Sequence, residues 1–293
     1  MSPQHEHHHA VVNIKTAFFL NLSFTLVEIV GGLWTNSIAI LSDALHDFGD
    51  SITLGLSWYL ANVSTKKRDG KFSYGYKRFS LLGALISGMV LLFGSVIILV
   101  EAIPRIVNPE SVYVEGMILL AIVGVIVNGV SALRLRGGKT QNERVVMLHL
   151  LEDVFGWVAV LVVGVVMLFI DLPVLDPILS IVITLYILWN VFKNLRETIN
   201  IFLQAIPSHV EIKQLETILT EQLPVKSVHD LHLWTLDGSY HVLSFHLVVA
   251  DNLSSQNIVY LKEQARDILK KHNICHSTIE IEYERESCGL TNC

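Results

Sequence analysis

Cysteine is scarce in this 293-residue chain: Cys275, Cys288 and Cys293 are the three, all near its end. A secreted disulfide framework is thereby excluded. Charge is scarce as well. Charged residues make up 16% of the chain against 52% hydrophobic, and the mean hydropathy is +0.51, far from soluble averages. There is no basic surplus either. From Pro207 onward seven Lys/Arg stand against twelve Asp/Glu, which argues against a nucleic-acid partner. Residues 1–12 lack the basic n-region and cleavage site of a secretory signal. His5, His7, His8 and His9 there read either as a purification-tag remnant or as a native metal-collecting tail. The most telling scarcity is of histidine. Between residues 10 and 208 there are two, His46 and His149, and each precedes an aspartate by four residues, Asp50 and Asp153.

What is abundant is long apolar sequence. Six segments, residues 14–34, 38–62, 79–103, 113–133, 145–170 and 174–202, are long enough to span a bilayer at ~20 residues each. The stretch from Phe79 to Val100 carries no charge at all. Lys66, Lys67, Arg68, Lys71, Lys77 and Arg78 fall between segments two and three, and Arg134, Arg136, Lys139 and Arg144 between four and five. The other connections hold Arg105 and no further Lys or Arg. The positive-inside rule therefore puts the basic loops and both termini in the cytoplasm.

Past Pro207 the pattern becomes that of a soluble α+β unit. Helices are expected at 209–223 and 256–272 and strands at 225–236, 240–249 and 277–283, an α-β-β-α-β order. The expected organisation is a tail at 1–13, a six-helix transmembrane domain at 14–206, a cytoplasmic regulatory domain at 207–284 and a flexible tail at 285–293.

Four-residue spacing puts each His/Asp pair on one helix face. Asp43 and Asp47 fall within the same arc as His46 and Asp50, so the second segment carries an acidic stripe. Ionisable residues in a span cost roughly 3 kcal/mol or more, and they usually line a site or pathway. Two imidazoles and two carboxylates suit tetrahedral zinc. Calcium and magnesium want oxygen-only shells, and the missing thiols disfavour soft ions. Zinc needs neutral imidazole and ionised carboxylate, so protons compete with it at the same atoms. That competition supplies a release step for an antiporter.

These residues resemble the cation diffusion facilitator family, its zinc-transporting branch in particular. The resemblance lies in Leu41-Ser42-Asp43-Ala44-Leu45-His46 with Asp50, His149-x-x-x-Asp153, Asp176-Pro177-Ile178-Leu179-Ser180, Tyr74-Gly75-Tyr76-Lys77-Arg78, and Val228-His229-Asp230-Leu231-His232-Leu233-Trp234. It implies a homodimeric zinc/proton antiporter exporting cytoplasmic zinc, with His46, Asp50, His149 and Asp153 as transport ligands and a metallochaperone-like cytoplasmic fold. Histidine at the head of both pairs goes with zinc preference over cadmium in that family. Two departures stand out. Phe72 and Tyr76 occupy places where bacterial members have histidines of a second loop site, so no such site is expected around Asp69. Ser80 replaces a glutamate common at the start of the third span.

In the cytoplasmic domain the resemblance implies zinc ligands at His229 and His246 as in bacterial members, with further ligands expected at Glu282 and Glu284, or at His276, Cys288 and Cys293 as in animal vesicular members. Cytoplasmic zinc there would act as a regulator, screening an acidic dimer interface. Strand alternation places His229 and His232 on opposite faces. The compact connection between segments four and five, without a His-rich insertion, favours a bacterial inner membrane. Rival readings are a manganese or iron exporter, a non-transporting zinc receptor, and an intramembrane zinc hydrolase. The hydrolase needs a general base beside three ligands and a zinc-bound water; no H-E-x-x-H occurs, and Glu152 is the sole extra candidate.

Overall fold

A computed structural model describes residues 19, 22–135, 141–208, 210–286 and 288, without the side chains of 54, 57, 58, 61, 62, 134, 135, 141–146, 148 and 149. The N-terminal histidines, Asn21, His209 and Cys293 lie outside the described residues. The chain divides into two compact units, residues 1–62 with 82–195 and residues 63–81 with 196–293.

The first unit is built on α1 (Leu22–Thr35), α2 (Ile38–Ser64), α3 (Phe79–Val107), α4 (Val114–Leu135), α5 (Gln141–Phe169) and α6 (Leu175–Phe202). Among the described residues four stretches, Phe79–Val107, Val114–Leu133, Leu150–Phe169 and Leu175–Phe202, are long and apolar enough to cross a membrane. α2 matches them in length but carries Asp43, Asp47 and Asp50. Ile97, Phe155 and Trp189 are exposed on α3, α5 and α6, an outward apolar surface of the kind that marks a membrane face.

Lipid gives helices no hydrophobic reason to associate, so close packing of small residues and buried polar bonds must hold the bundle. Both are present. A Cβ on Gly94 or Gly49 would collide with Leu45 or Leu91, between α2 and α3, and one on Gly88 with Leu195, between α3 and α6. Ser42 Oγ of α2 lies 2.6 Å from Ser180 Oγ of α6. Asp176, at the start of α6, accepts from the Ile38 N–H at 2.7 Å and the Ser37 hydroxyl at 2.5 Å. It thus caps α2 from a neighbouring helix.

Trp157, 1% exposed on α5, lies so close to Gly124 of α4 that a Cβ there would meet its indole. Gly124→Ala should therefore destabilise the purified protein by about 1–3 kcal/mol through overpacking. Gly129→Ala, whose added carbon meets nothing nearer than 4.0 Å, should be neutral or stabilising. Thermal unfolding of both variants in detergent checks this.

In the second unit α7 (Ile212–Gln222), β1 (Ser227–Thr235), β2 (His241–Val249), α8 (Ser255–Lys271) and β3 (Ile274–Tyr283) follow the expected order. The sheet runs β1-β2-β3, with β1 antiparallel and β3 parallel to β2. Leu215 and Leu219 of α7 and Leu261, Ala265 and Leu269 of α8 bury the face formed by Val228, Leu233, Leu243, Phe245 and Leu247. The opposite face is left for other chemistry.

One expectation about that face is overturned. His229 pairs with His246 and His232 with Ser244, so three steps along β1 match two along β2. This bulge inserts one residue and resets the alternation, putting His229 and His232 on the same face. The connection 63–81 also belongs to this unit. Asp69 accepts from the Tyr76 hydroxyl at 2.7 Å and from the N–H groups of Lys71 and Phe72 at 2.8 and 2.9 Å. The Phe72 and Tyr76 rings pack 4.6 Å apart. Hydrogen bonding to Tyr76 and then to the two backbone groups holds the Asp69 carboxyl below its ordinary range.

Candidate transport site and cytoplasmic metal centre

α2 can carry acids inside an apolar bundle because its helical repeat collects them on one stripe. Asp43 and Asp47 are buried, at 6% and 2% exposure. His46 Nε2 lies 3.6 Å from Asp50 Oδ2, and both side chains are about a quarter exposed, at 23% and 25%. Asp153 is buried on α5. One turn further, a Cβ on Gly156 would stand 3.4 Å from Asp43 Oδ1, so the Asp153 turn of α5 lies against the acidic stripe of α2. His149 is on α5, but its side chain is outside the described residues. Glu152, the candidate base, lies near the Tyr186 hydroxyl of α6.

Sequence reasoning gave Glu28 no role, yet it joins this site. It is 1% exposed on α1 and stands beside the carboxyl of Asp47. The charges acting on it are those of Asp47, Asp43 and Asp153. α1, α2 and α5 thus turn four carboxyl groups toward one region, a field that attracts divalent cations. The available signal was a lone carboxyl inside an apolar helix.

The cytoplasmic unit gathers a second cluster on the sheet face away from the helices. One ligand atom each of His229, His246, Glu282 and Cys288 lies within 4.8 Å of the other three. His246 Nδ1 is 2.5 Å from Glu282 Oε1 and 3.8 Å from Cys288 Sγ. His229 Nε2 is 3.3 Å from Glu282 Oε2 but makes no hydrogen bond among the described residues. A buried ring nitrogen aimed at a carboxylate and a thiol suits zinc, which takes N, O and S donors at four corners. Burial alone would raise the Glu282 carboxyl. The hydrogen bonds of Cys288 and His246, with the charges of the two imidazoles, outweigh it and hold the group below its ordinary value.

His276 is not brought into this cluster. It stands exposed on β3 with its ring edge-on to Tyr74 at 5.7 Å. Glu284 is paired instead with Lys226 at 3.2 Å. The tail's sequence pattern could not separate these residues, because the parallel pairing of β3 decides which carboxylates face His246.

Two family models match the chain, the cation efflux transmembrane domain over residues 14–203 and the cation efflux protein cytoplasmic domain over 207–284. Among curated relatives, the cadmium, cobalt and zinc/H(+)-K(+) antiporter of Bacillus subtilis (strain 168) is 30% identical over 272 residues, covering 92% of this chain and 88% of its own. The metal cation efflux system protein CzcD of Cupriavidus metallidurans is 30% identical, covering 96% of this chain and 90% of its own. The zinc transporter ZitB of Pectobacterium atrosepticum is 30% identical, with coverage of 96% and 87%. The two matches together cover nearly the whole chain, which thus belongs to the cation diffusion facilitator family, whose work is cation efflux rather than enzymatic catalysis.

Proposed function

We propose that this protein is a zinc/proton antiporter that moves cytoplasmic zinc outward by alternating access. The observation that carries this reading is the His46–Asp50 pair on a stripe shared with buried Asp43 and Asp47, beside buried Asp153. His46, Asp50, His149 and Asp153 are the ligands of the transport site, and Asp43 and Asp47 hold its entry path or relay protons. Six spans, cytoplasmic termini and a homodimer complete the arrangement, in a bacterial inner membrane by analogy with the relatives. Bound zinc and protons exclude each other because they use the same nitrogen and oxygen atoms. Protonation on the outer side therefore releases the ion, and deprotonation on the inner side readies the site.

Zinc is favoured over manganese because imidazole suits zinc whereas manganese prefers all-oxygen donors. The cytoplasmic domain has a different task. His229, His246, Glu282 and Cys288 hold a regulatory zinc, with His276 and Glu284 outside that site. In inside-out vesicles with an acid lumen, zinc should accumulate, the accumulation should collapse with a protonophore, and excess manganese should compete poorly. Accumulation that survives the protonophore would remove the antiport. Effective competition by manganese would remove the zinc preference.

A further inference from the structure

β1 is interrupted beside the cytoplasmic cluster. Among the described residues four non-glycines have left-handed backbone: Asn36, Gln204, Asp230 and Asn273, with φ of 54°, 60°, 53° and 61°. Asn36, Gln204 and Asn273 follow the ends of α1, α6 and α8, where such a residue ordinarily closes a helix. Asp230 instead lies within a strand, at the bulge between His229 and His232. A non-glycine residue is strained there, and bulges commonly re-aim a side chain at a functional site.

The re-aimed side chain is the Asp230 carboxylate, and it is largely buried. Its Oδ2 lies 3.4 Å from His246 Nε2, and its Oδ1 accepts from His232 Nε2 at 2.8 Å. The other nitrogen of His246, Nδ1, faces Glu282 and Cys288. We propose that Asp230 is the positioning residue of the cytoplasmic metal centre, taking the Nε2–H of His246 so that the Nδ1 lone pair is presented to the metal. This rests on the reading of that cluster as a metal site.

The chemistry follows from the ring. Neutral imidazole carries one N–H, and the group that accepts it decides which nitrogen is left to ligate. Histidines bound to metal generally donate their second nitrogen to a carboxylate or carbonyl, and loss of that partner weakens binding roughly 10- to 100-fold. His232 completes the arrangement by holding the far oxygen of the same carboxylate. The bulge is what allows it, because regular alternation would turn His232 to the helix-covered face.

The test titrates the full-length protein in detergent with cobalt(II), following the thiolate-to-cobalt charge-transfer absorption that Cys288→Ser should abolish. Asp230→Asn and Asp230→Gly should each weaken cobalt binding roughly 10- to 100-fold. Glycine is at ease with positive φ, so Asp230→Gly should leave thermal stability equal or higher while affinity falls. A purely structural role for Asp230 predicts the reverse for glycine, with affinity kept. Wild-type affinity in either variant overturns the positioning role. A wild-type protein without any Cys288-dependent band overturns the metal-centre reading itself, and the inference with it.

Discussion

Zinc accumulation in inside-out vesicles should fall to background in Asp50→Ala and in Asp153→Asn, at protein levels equal to wild type. Each replacement removes one carboxylate from a set of four ligands, and an ion that has left water cannot regain that donor from an apolar bundle. Folding should survive for different reasons at the two positions. The Asp50 side chain is about a quarter exposed, so its truncation opens no sealed cavity. Asp153 is 5% exposed, and asparagine keeps its volume while removing its charge. Radiolabelled zinc flux, with size-exclusion profiles of both variants, measures the outcome. Undiminished flux in either variant would refute the transport-site assignment.

The second large effect should be on stability. Asp176→Ala deletes the acceptor shared by the Ser37 hydroxyl and the Ile38 N–H. Asp176 is fully buried, so no water replaces it. Leaving a buried donor without its partner costs about 1–3 kcal/mol, and hydrogen bonds to a charged acceptor lie at the upper end. The variant should therefore lose about 3 kcal/mol, and α2, which carries the stripe, loses its anchored start. Thermal unfolding in detergent should show this as a lowered midpoint, with Asp176→Asn intermediate because it keeps one oxygen. An unchanged midpoint in Asp176→Ala would mean that the α2 cap contributes nothing.

Periodicity made much of this molecule legible. The apolar lengths of α3 to α6 and the α-β-β-α-β order follow from runs and alternations visible in a single chain. The His46 and Asp50 pairing also follows from helical spacing alone. Glu28 was visible as an oddity but could not be assigned, since a residue on α1 meets Asp47 and Asp153 only through packing. His229 and His232 show the limit more sharply. Alternation separates them, and one extra residue in β1 reunites them on the face that holds His246.

His276 marks the same boundary. It shares a strand with Glu282, yet the two differ in what they face, and no spacing rule distinguishes them without the β2–β3 register. What the sequence determined by itself is the class of solvent each segment needs and which ionisable residues share a face of α2 and of α5. Those depend on local periodicity and on the cost of charge in lipid, both properties of short stretches. The tertiary structure decided which carboxyl groups share a region, which of the tail's histidines meet a thiol, and that Asp230 stands behind His246. Those are contacts between residues far apart in the chain, set by strand register and helix packing.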